Sequence, residues 1–193
     1  MRNGPFAFQF RIALAAHGGT MQREDDSMEN DITRIANWLQ PQAILLEVDI
    51  RDRAHALEVA AAAIGRAQGL DPAPIFRALW RREQVGSTAL GEGFAIPHAR
   101  ISGIARPITL FMRTKPAIAF DAPDGQPVAH LLVIMVPADG ANEDHLLLLA
   151  LVTRMFSDHD FRTQLESAPD ATAAAAAFRA AVAKVTAASG SRE

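Results

Sequence analysis

A chain of 193 residues with 49% hydrophobic side chains has enough apolar material for one compact core, so neither a disulfide nor a structural metal is needed to hold it together. Nineteen Lys and Arg against 22 Asp and Glu leave a net charge of −3, which argues against a protein built to grip the phosphate backbone of nucleic acid. The absence of Cys excludes disulfide scaffolds, thiol catalysis, iron–sulfur clusters and Cys-based zinc sites.

The first 30 residues read as a leader. Arg2 precedes a short apolar stretch with small residues at Ala15 and Ala16, a faint likeness to a signal peptide that Gln9 and Arg11 break. Met21 to Asn30 is polar and acidic, a disordered leader or a mis-assigned start, since Met21 and Met28 each offer a start residue. No later stretch reaches the roughly 18 uninterrupted apolar residues of a membrane span. A single domain is expected over residues 31–180, followed by a frayed tail over 181–193.

Within that domain Asp31 caps a short helix over 32–39, which Pro41 ends. The branched apolar run 43–48 reads as a strand. Asp49 or Asp52 starts an amphipathic helix to Gln68 with Ala56, Val59, Ala60, Ala63, Ile64 and Ala67 on its apolar face, and Gly69 stops it. Asp71-Pro72 opens a second helix that buries Ile75, Phe76, Leu79 and Trp80 and runs into Arg81, Arg82 and Glu83. A Gly-rich loop over 86–93 follows, then a short run, Phe94 to Ile96, stopped by Pro97-His98. The clearest strands are 107–114 and 130–137, the second apolar enough to be central in a sheet; 118–120 adds a short piece and 121–127 is turn-rich. Asn142 caps a helix that is apolar nearly all round and therefore predicted buried, and further helices fit 160–166 and 170–187. Interleaved strands and helices indicate an α/β layer architecture.

The most demanding segment is LWRREQVGSTALGEGFAIPHARI, residues 79–101. Arg81 and Arg82 stand at a helix end before a loop with three glycines, whose backbone N–H groups can approach an anion closely. Pro97 holds the direction of His98. A projecting imidazole near an arginine and free backbone donors suits nucleophilic phosphoryl transfer. His145 falls in the first turn of the helix capped by Asn142, where the positive helix end favours a neutral ring that donates one hydrogen bond to a phosphoryl oxygen. Arg82 supplies full charge, about 4 kcal/mol for a unit pair near 4 Å before desolvation. Ser87 and Thr88 either help to bind phosphate or cap the turn. No Walker-type Gly-Lys-Ser/Thr, GxSxG or zinc-ligand spacing occurs, and the chemistry calls for no metal and no cofactor. Asp121 and Asp124 read as turn carboxylates, His17, His55 and His159 as solvated, and His130 as a satisfied core residue.

These residues carry a resemblance. REQVGSTALGEGFAIPHAR, Arg82 to Arg100, resembles the signature of the enzyme IIA domains of the bacterial phosphotransferase system, mannitol/fructose type, and the likeness extends from about Ile32 to Phe178. IAFDAPDGQPV and VPADGANEDHLLLLALV are most similar to the nitrogen-branch enzyme IIA proteins, which are stand-alone regulators. The resemblance implies an α/β fold of type 2, with a central mixed sheet of about five strands flanked by helices. It places phosphorylation on His98 at Nε2, the second active-site histidine on His145 and the active-site arginine on Arg82. Phe94 and Ile96 would limit attack by water, and an apolar patch around His98 would dock a histidine phosphocarrier protein (HPr-like or NPr-like). Ala99-Arg100 stands where nitrogen-branch relatives usually carry Gly-Lys, and His130 where they often carry Asp, differences that bear on partner choice. The expected role is that of a cytoplasmic phosphoryl carrier and nitrogen or metabolic regulator acting on a kinase or transporter, without nucleic acid or membrane insertion. Two alternatives stand beside it: a fructose- or mannitol-specific IIA passing phosphate to a IIB domain, and a binding module without phosphoryl transfer.

Overall fold

The computed structural model describes residues 39–139 and 142–189. The expected leader and all but Leu39 of the helix over 32–39 lie outside the described residues, as does the side chain of Asn142 and hence its cap. Six strands are described: β1 (Ile44–Val48), β2 (Ala89–Gly91), β3 (Phe94–Ala95), β4 (His98–Ile101), β5 (Ile108–Ile118) and β6 (Val128–Pro137). Five helices accompany them: α1 (Arg53–Gln68), α2 (Pro72–Val85), α3 (Asn142–Phe156), α4 (His159–Ser167) and α5 (Ala171–Ser189). Among the described residues no helix is long and apolar enough to cross a membrane.

The strands form one mixed sheet in the order β1-β5-β6-β3-β2, with β4 also paired to β6. Phe94 pairs with His130 and His98 with Ile134, at one constant offset along the same edge of β6. β3 and β4 therefore occupy a single lane, and the six strands fill the five lanes expected. Pro97 does not stop this lane. It lacks only the N–H, and its carbonyl still accepts from Ile134 N at 2.9 Å, so the chain passes through proline in register and carries His98 straight on from the core.

Alternation on β6 explains its unbroken apolar run. Leu132, Ile134 and Val136 join one buried cluster with residues of α3, α4 and α5, whereas Leu131, Val133 and Met135 join another with residues of α1 and α2. A strand buried on both faces has no polar side to show. Local signals set the helix ends. Asp52 accepts from His55 N at 2.8 Å to cap α1, Gly69 closes it in the left-handed region at φ 67°, and Asp71 accepts from Ala73 N at 3.0 Å to cap α2. Arg113 fastens α4 to the sheet: its guanidinium donates to the carbonyls of Leu165, Glu166 and Ala168 and to Glu47.

Several expectations are corrected. The Gly-rich segment is partly a hairpin, because Gly91, Glu92 and Gly93 all take positive φ and turn β2 back on β3. Asp124 serves that turn as well as its own, accepting from Glu92 N at 2.6 Å and Gln126 N at 3.0 Å. β5 runs on to Ile118 with a register shift against β6 after Arg113, so only Ile118 of the short piece expected at 118–120 is strand. α3 is buried on one side only, with Leu146 61% exposed. α5 continues to Ser189, burying Ala181, Val182 and Val185 in residues expected to fray. His55 is half-buried, with Nδ1 accepting from Arg51 N at 3.3 Å, whereas His159 is exposed as expected. His130 is buried but not satisfied: it stacks on Phe94 at 4.6 Å between ring centroids, and neither ring nitrogen has a hydrogen-bond partner of good geometry.

Candidate active site

The lane formed by β3 and β4, the C-terminal end of α2 and the first turn of α3 bring His98, Arg82 and His145 together. Nδ1 of His98 lies 2.8 Å from the Ile96 carbonyl, which can only accept, so Nδ1 carries the proton. Nε2 of the same ring lies 3.1 Å from Arg82 Nε, which can only donate. The two contacts define a neutral ring whose lone pair is at Nε2. Burial, opposed by the Ile96 carbonyl and reinforced by the Arg82 and His145 charges, lowers the His98 pKa from 6.5 to about 4. The nucleophilic form is therefore the resting form at neutral pH.

Arg82 is held at a second point, donating from Nη1 to the Gly86 carbonyl at 2.9 Å. It does not pair with Glu83, the alternative its sequence neighbour offers, because Glu83 faces inward. Glu83 is 4% exposed; it accepts from Thr88 N at 3.1 Å and Thr88 Oγ1 at 2.6 Å and lies 3.7 Å from Arg53 Nη1. Arg53 in turn reaches Asp121 at 2.7 Å and stands over the Phe120 ring. A buried carboxyl group immediately after Arg82 thus fixes both the helix end and the loop that follows. Sequence reasoning passed over it, although Ile75, Leu79 and Glu83 recur every four residues on the buried face. Glu83→Ala is expected to cost on the order of 3 kcal/mol by stranding the two buried Thr88 donors, seen as a lowered thermal midpoint.

His145 faces His98 edge-on, with ring centroids 5.5 Å apart and planes at 65°. Its Nε2 is buried and has no hydrogen-bond partner. Burial, then the charges of Arg100 and Arg82, lower its pKa. The neutral ring expected here is thus explained by burial and two neighbouring cations, of which Arg100 was not foreseen. An orphaned, buried ring nitrogen beside a nucleophile is where a phosphoryl oxygen would be received.

Ser87 and Thr88 stand in the same loop, but their hydroxyls are committed within the chain. Ser87 Oγ donates to the Phe120 carbonyl at 2.6 Å and accepts from Ala89 N at 3.1 Å, and Thr88 Oγ1 binds Glu83. Several of the loop's backbone donors are also engaged: Gly86 N binds the Glu83 carbonyl, Thr88 N the Glu83 carboxylate, and Glu92 N Asp124. That part of the loop is therefore a scaffold that holds the end of α2 and the hairpin in place. Phe94 and Ile96, 1% and 4% exposed, belong to the core beneath His98.

Residues 37–180 match the family model for the phosphoenolpyruvate-dependent sugar phosphotransferase system, EIIA 2. A nitrogen regulatory protein of Pseudomonas aeruginosa is 39% identical over 141 residues, covering 72% of this chain and 91% of that protein. A fructose-specific EIIA component of a phosphotransferase system in Haloferax volcanii is 35% identical, covering 70% of this chain and 88% of that one. Among solved structures, the nitrogen regulatory protein IIA-Ntr of Neisseria meningitidis superposes with a TM-score of 0.71 at 33% identity, covering 75% of this chain and 99% of its own.

Proposed function

Since the chain belongs to the EIIA 2 family of the phosphoenolpyruvate-dependent sugar phosphotransferase system, we propose that His98 accepts a phosphoryl group at Nε2 from the phosphohistidine of a phosphocarrier protein. One observation carries the reading: the Nε2 lone pair of a neutral, oriented imidazole is presented between the Arg82 guanidinium and the orphaned Nε2 of His145. In the transfer, the Nε2 lone pair forms the new N–P bond while the donor's N–P bond breaks. The donor ring, protonated at its far nitrogen, leaves with that electron pair as neutral imidazole. Positive charge developing on His98 is held at Nδ1–H by the Ile96 carbonyl.

Arg82 has two tasks in this scheme. In the free protein its Nε–H occupies the lone pair, and it must leave Nε2 for the bond to form. The same fork, still tethered at Gly86, then meets the phosphoryl oxygens. His145 donates a hydrogen bond from its neutral ring without adding a second full charge. The transition state is loose, so positioning and charge stabilisation supply most of the catalysis.

We assign the protein a cytoplasmic regulatory role of the nitrogen-branch type, supported by its relatives of that name. Added phosphoryl charge of about −1.5 to −2 on the docking face would change which kinase or transporter it fits. A second reading, a sugar-specific subunit that passes phosphate to a IIB domain, draws on the fructose-specific relative. Incubation with phosphoenolpyruvate, enzyme I and phosphocarriers of both branches tests these readings, with peptide mapping of acid-labile, base-stable phosphate. Label on the His98 peptide, faster from the nitrogen-branch carrier, is expected. Faster labelling from the sugar carrier would favour the second reading, and label on any other residue would overturn the assignment.

A further inference from the structure

Charge is distributed unevenly around His98. The chain is acidic overall, yet residues 72–106 carry five arginines against two glutamates. Neither glutamate offsets them at the surface: Glu83 is buried on Thr88, and Glu92 is paired with Arg162. Arg77, Arg81 and Val85 follow one another every four residues along the outer face of α2, all exposed, Val85 by 82%. Among the described residues, neither Arg77 nor Arg81 has an ion-pair partner. With a helical rise of about 1.5 Å per residue, Arg81 lies one step and Arg77 roughly 7–8 Å along the axis from Arg82, whose side chain holds His98. Leu146, 61% exposed, projects from α3 next to His145. Val85 and Leu146, the large apolar side chains left exposed among the described residues, stand on the two helices that carry Arg82 and His145. Asp139, exposed just after β6, and Glu143 and Asp144, which precede His145 in the sequence, carry the opposite sign, so the positive charge belongs to the α2 side of the site.

We infer that the outer face of α2, with Arg77 and Arg81 around Val85, is a docking surface for a protein whose own face is acidic beside its phosphohistidine. This rests on the reading of His98 as phosphoryl acceptor. A macromolecular donor must bring its phosphorus to Nε2 and so must cover the surface next to Arg82. The sign of that surface then selects the donor: carboxylates opposite α2 accelerate encounter and fix its orientation, whereas a lysine-rich rim is repelled.

The test compares a phosphorylated histidine phosphocarrier with phosphoramidate, a small donor that needs no docking, on the full-length chain. Carrier variants with glutamate or lysine at the residues flanking the phosphohistidine supply the two rims. The Arg77→Glu/Arg81→Glu variant is expected to take phosphoryl groups from the glutamate-rimmed carrier about 10- to 100-fold more slowly than wild type at low salt, and to recover with the lysine-rimmed carrier. The difference is expected to close at about 1 M salt, where the Debye length is about 3 Å. Labelling by phosphoramidate is expected to be unchanged, and Arg179→Glu, on the exposed face of α5, to leave every rate as it was. Equal rates for wild type and variant with the glutamate-rimmed carrier would overturn the docking surface, as would faster transfer from the lysine-rimmed carrier to wild type. Failure of phosphoramidate and carriers alike to label wild-type His98 would instead remove the acceptor reading itself, and the docking surface with it.

Discussion

His98→Ala is expected to take up no acid-labile phosphate from any donor while keeping its fold, and Arg82→Met to take it up roughly 100- to 1,000-fold more slowly. The two losses have different origins. His98 supplies the lone pair that becomes the N–P bond, and no second imidazole offers one in that geometry: His145 meets His98 edge-on and does not take its place between Arg82 and the Ile96 carbonyl. Arg82 supplies charge and a planar fork, so its removal leaves the nucleophile intact and more accessible but the developing phosphoryl charge unmatched. Arg82→Lys is expected to recover only part of the rate, because one ammonium group does not reproduce the Nε contact to His98 together with the Nη1 tether to Gly86. Rapid-quench transfer with intact-mass detection reads both effects. Wild-type rates in Arg82→Met, or label in His98→Ala, would remove the mechanism.

The sequence made the helix ends and central strands legible because their causes are local. Asp52, Gly69 and Asp71 act within a turn of themselves, and the apolar run 130–137 announces a strand buried on both faces. His98, Arg82 and His145, which the fold brings together, were singled out because a long spaced signature joined them; by residue chemistry alone each also had an ordinary structural reading. What was missed depends on contacts distant in sequence. Ser87 read as a phosphate ligand or a turn cap, and nothing local tells that its hydroxyl donates to the Phe120 carbonyl. Pro97 looked like a strand end, since nothing local tells that its carbonyl meets Ile134 in unbroken register. Asp124 looked like a turn residue of its own loop, and only the fold brings it to Glu92.

His130 shows what such distant packing does to a titratable group, and it leads to the second large effect. The ring is 7% exposed and stacked on Phe94, with Phe111 beyond at 6.3 Å. Burial first and Arg113 second lower its pKa from 6.5 to about 4, against smaller opposing contributions from the Gly93 carbonyl and Glu47. His98 is lowered to about the same value. Between 6.5 and about 4 the unfolded chain binds protons at both imidazoles that the folded chain refuses, so stability rises with pH across that window and is lost as pH falls through it. Each ring accounts for roughly 3 kcal/mol at the acid end, so the pair is comparable with the whole stability of a small domain, about 5–15 kcal/mol. Surface carboxylates held low, the exposed Asp124 and the half-buried Asp158, act in the same direction but below their ordinary value of 3.8, so the imidazole window stands clear above them. His130→Leu keeps an apolar side chain between the phenyl rings and forfeits no hydrogen bond of good geometry, since neither ring nitrogen makes one. Thermal midpoints measured across the window are expected to fall steeply for wild type and less far for His130→Leu or His98→Ala, with His145, also lowered by burial, acting in the same direction in all three. An unchanged pH slope in His130→Leu, or a folded-state His130 ring signal titrating near 6.5, would show that the buried imidazole is not what limits the fold in acid.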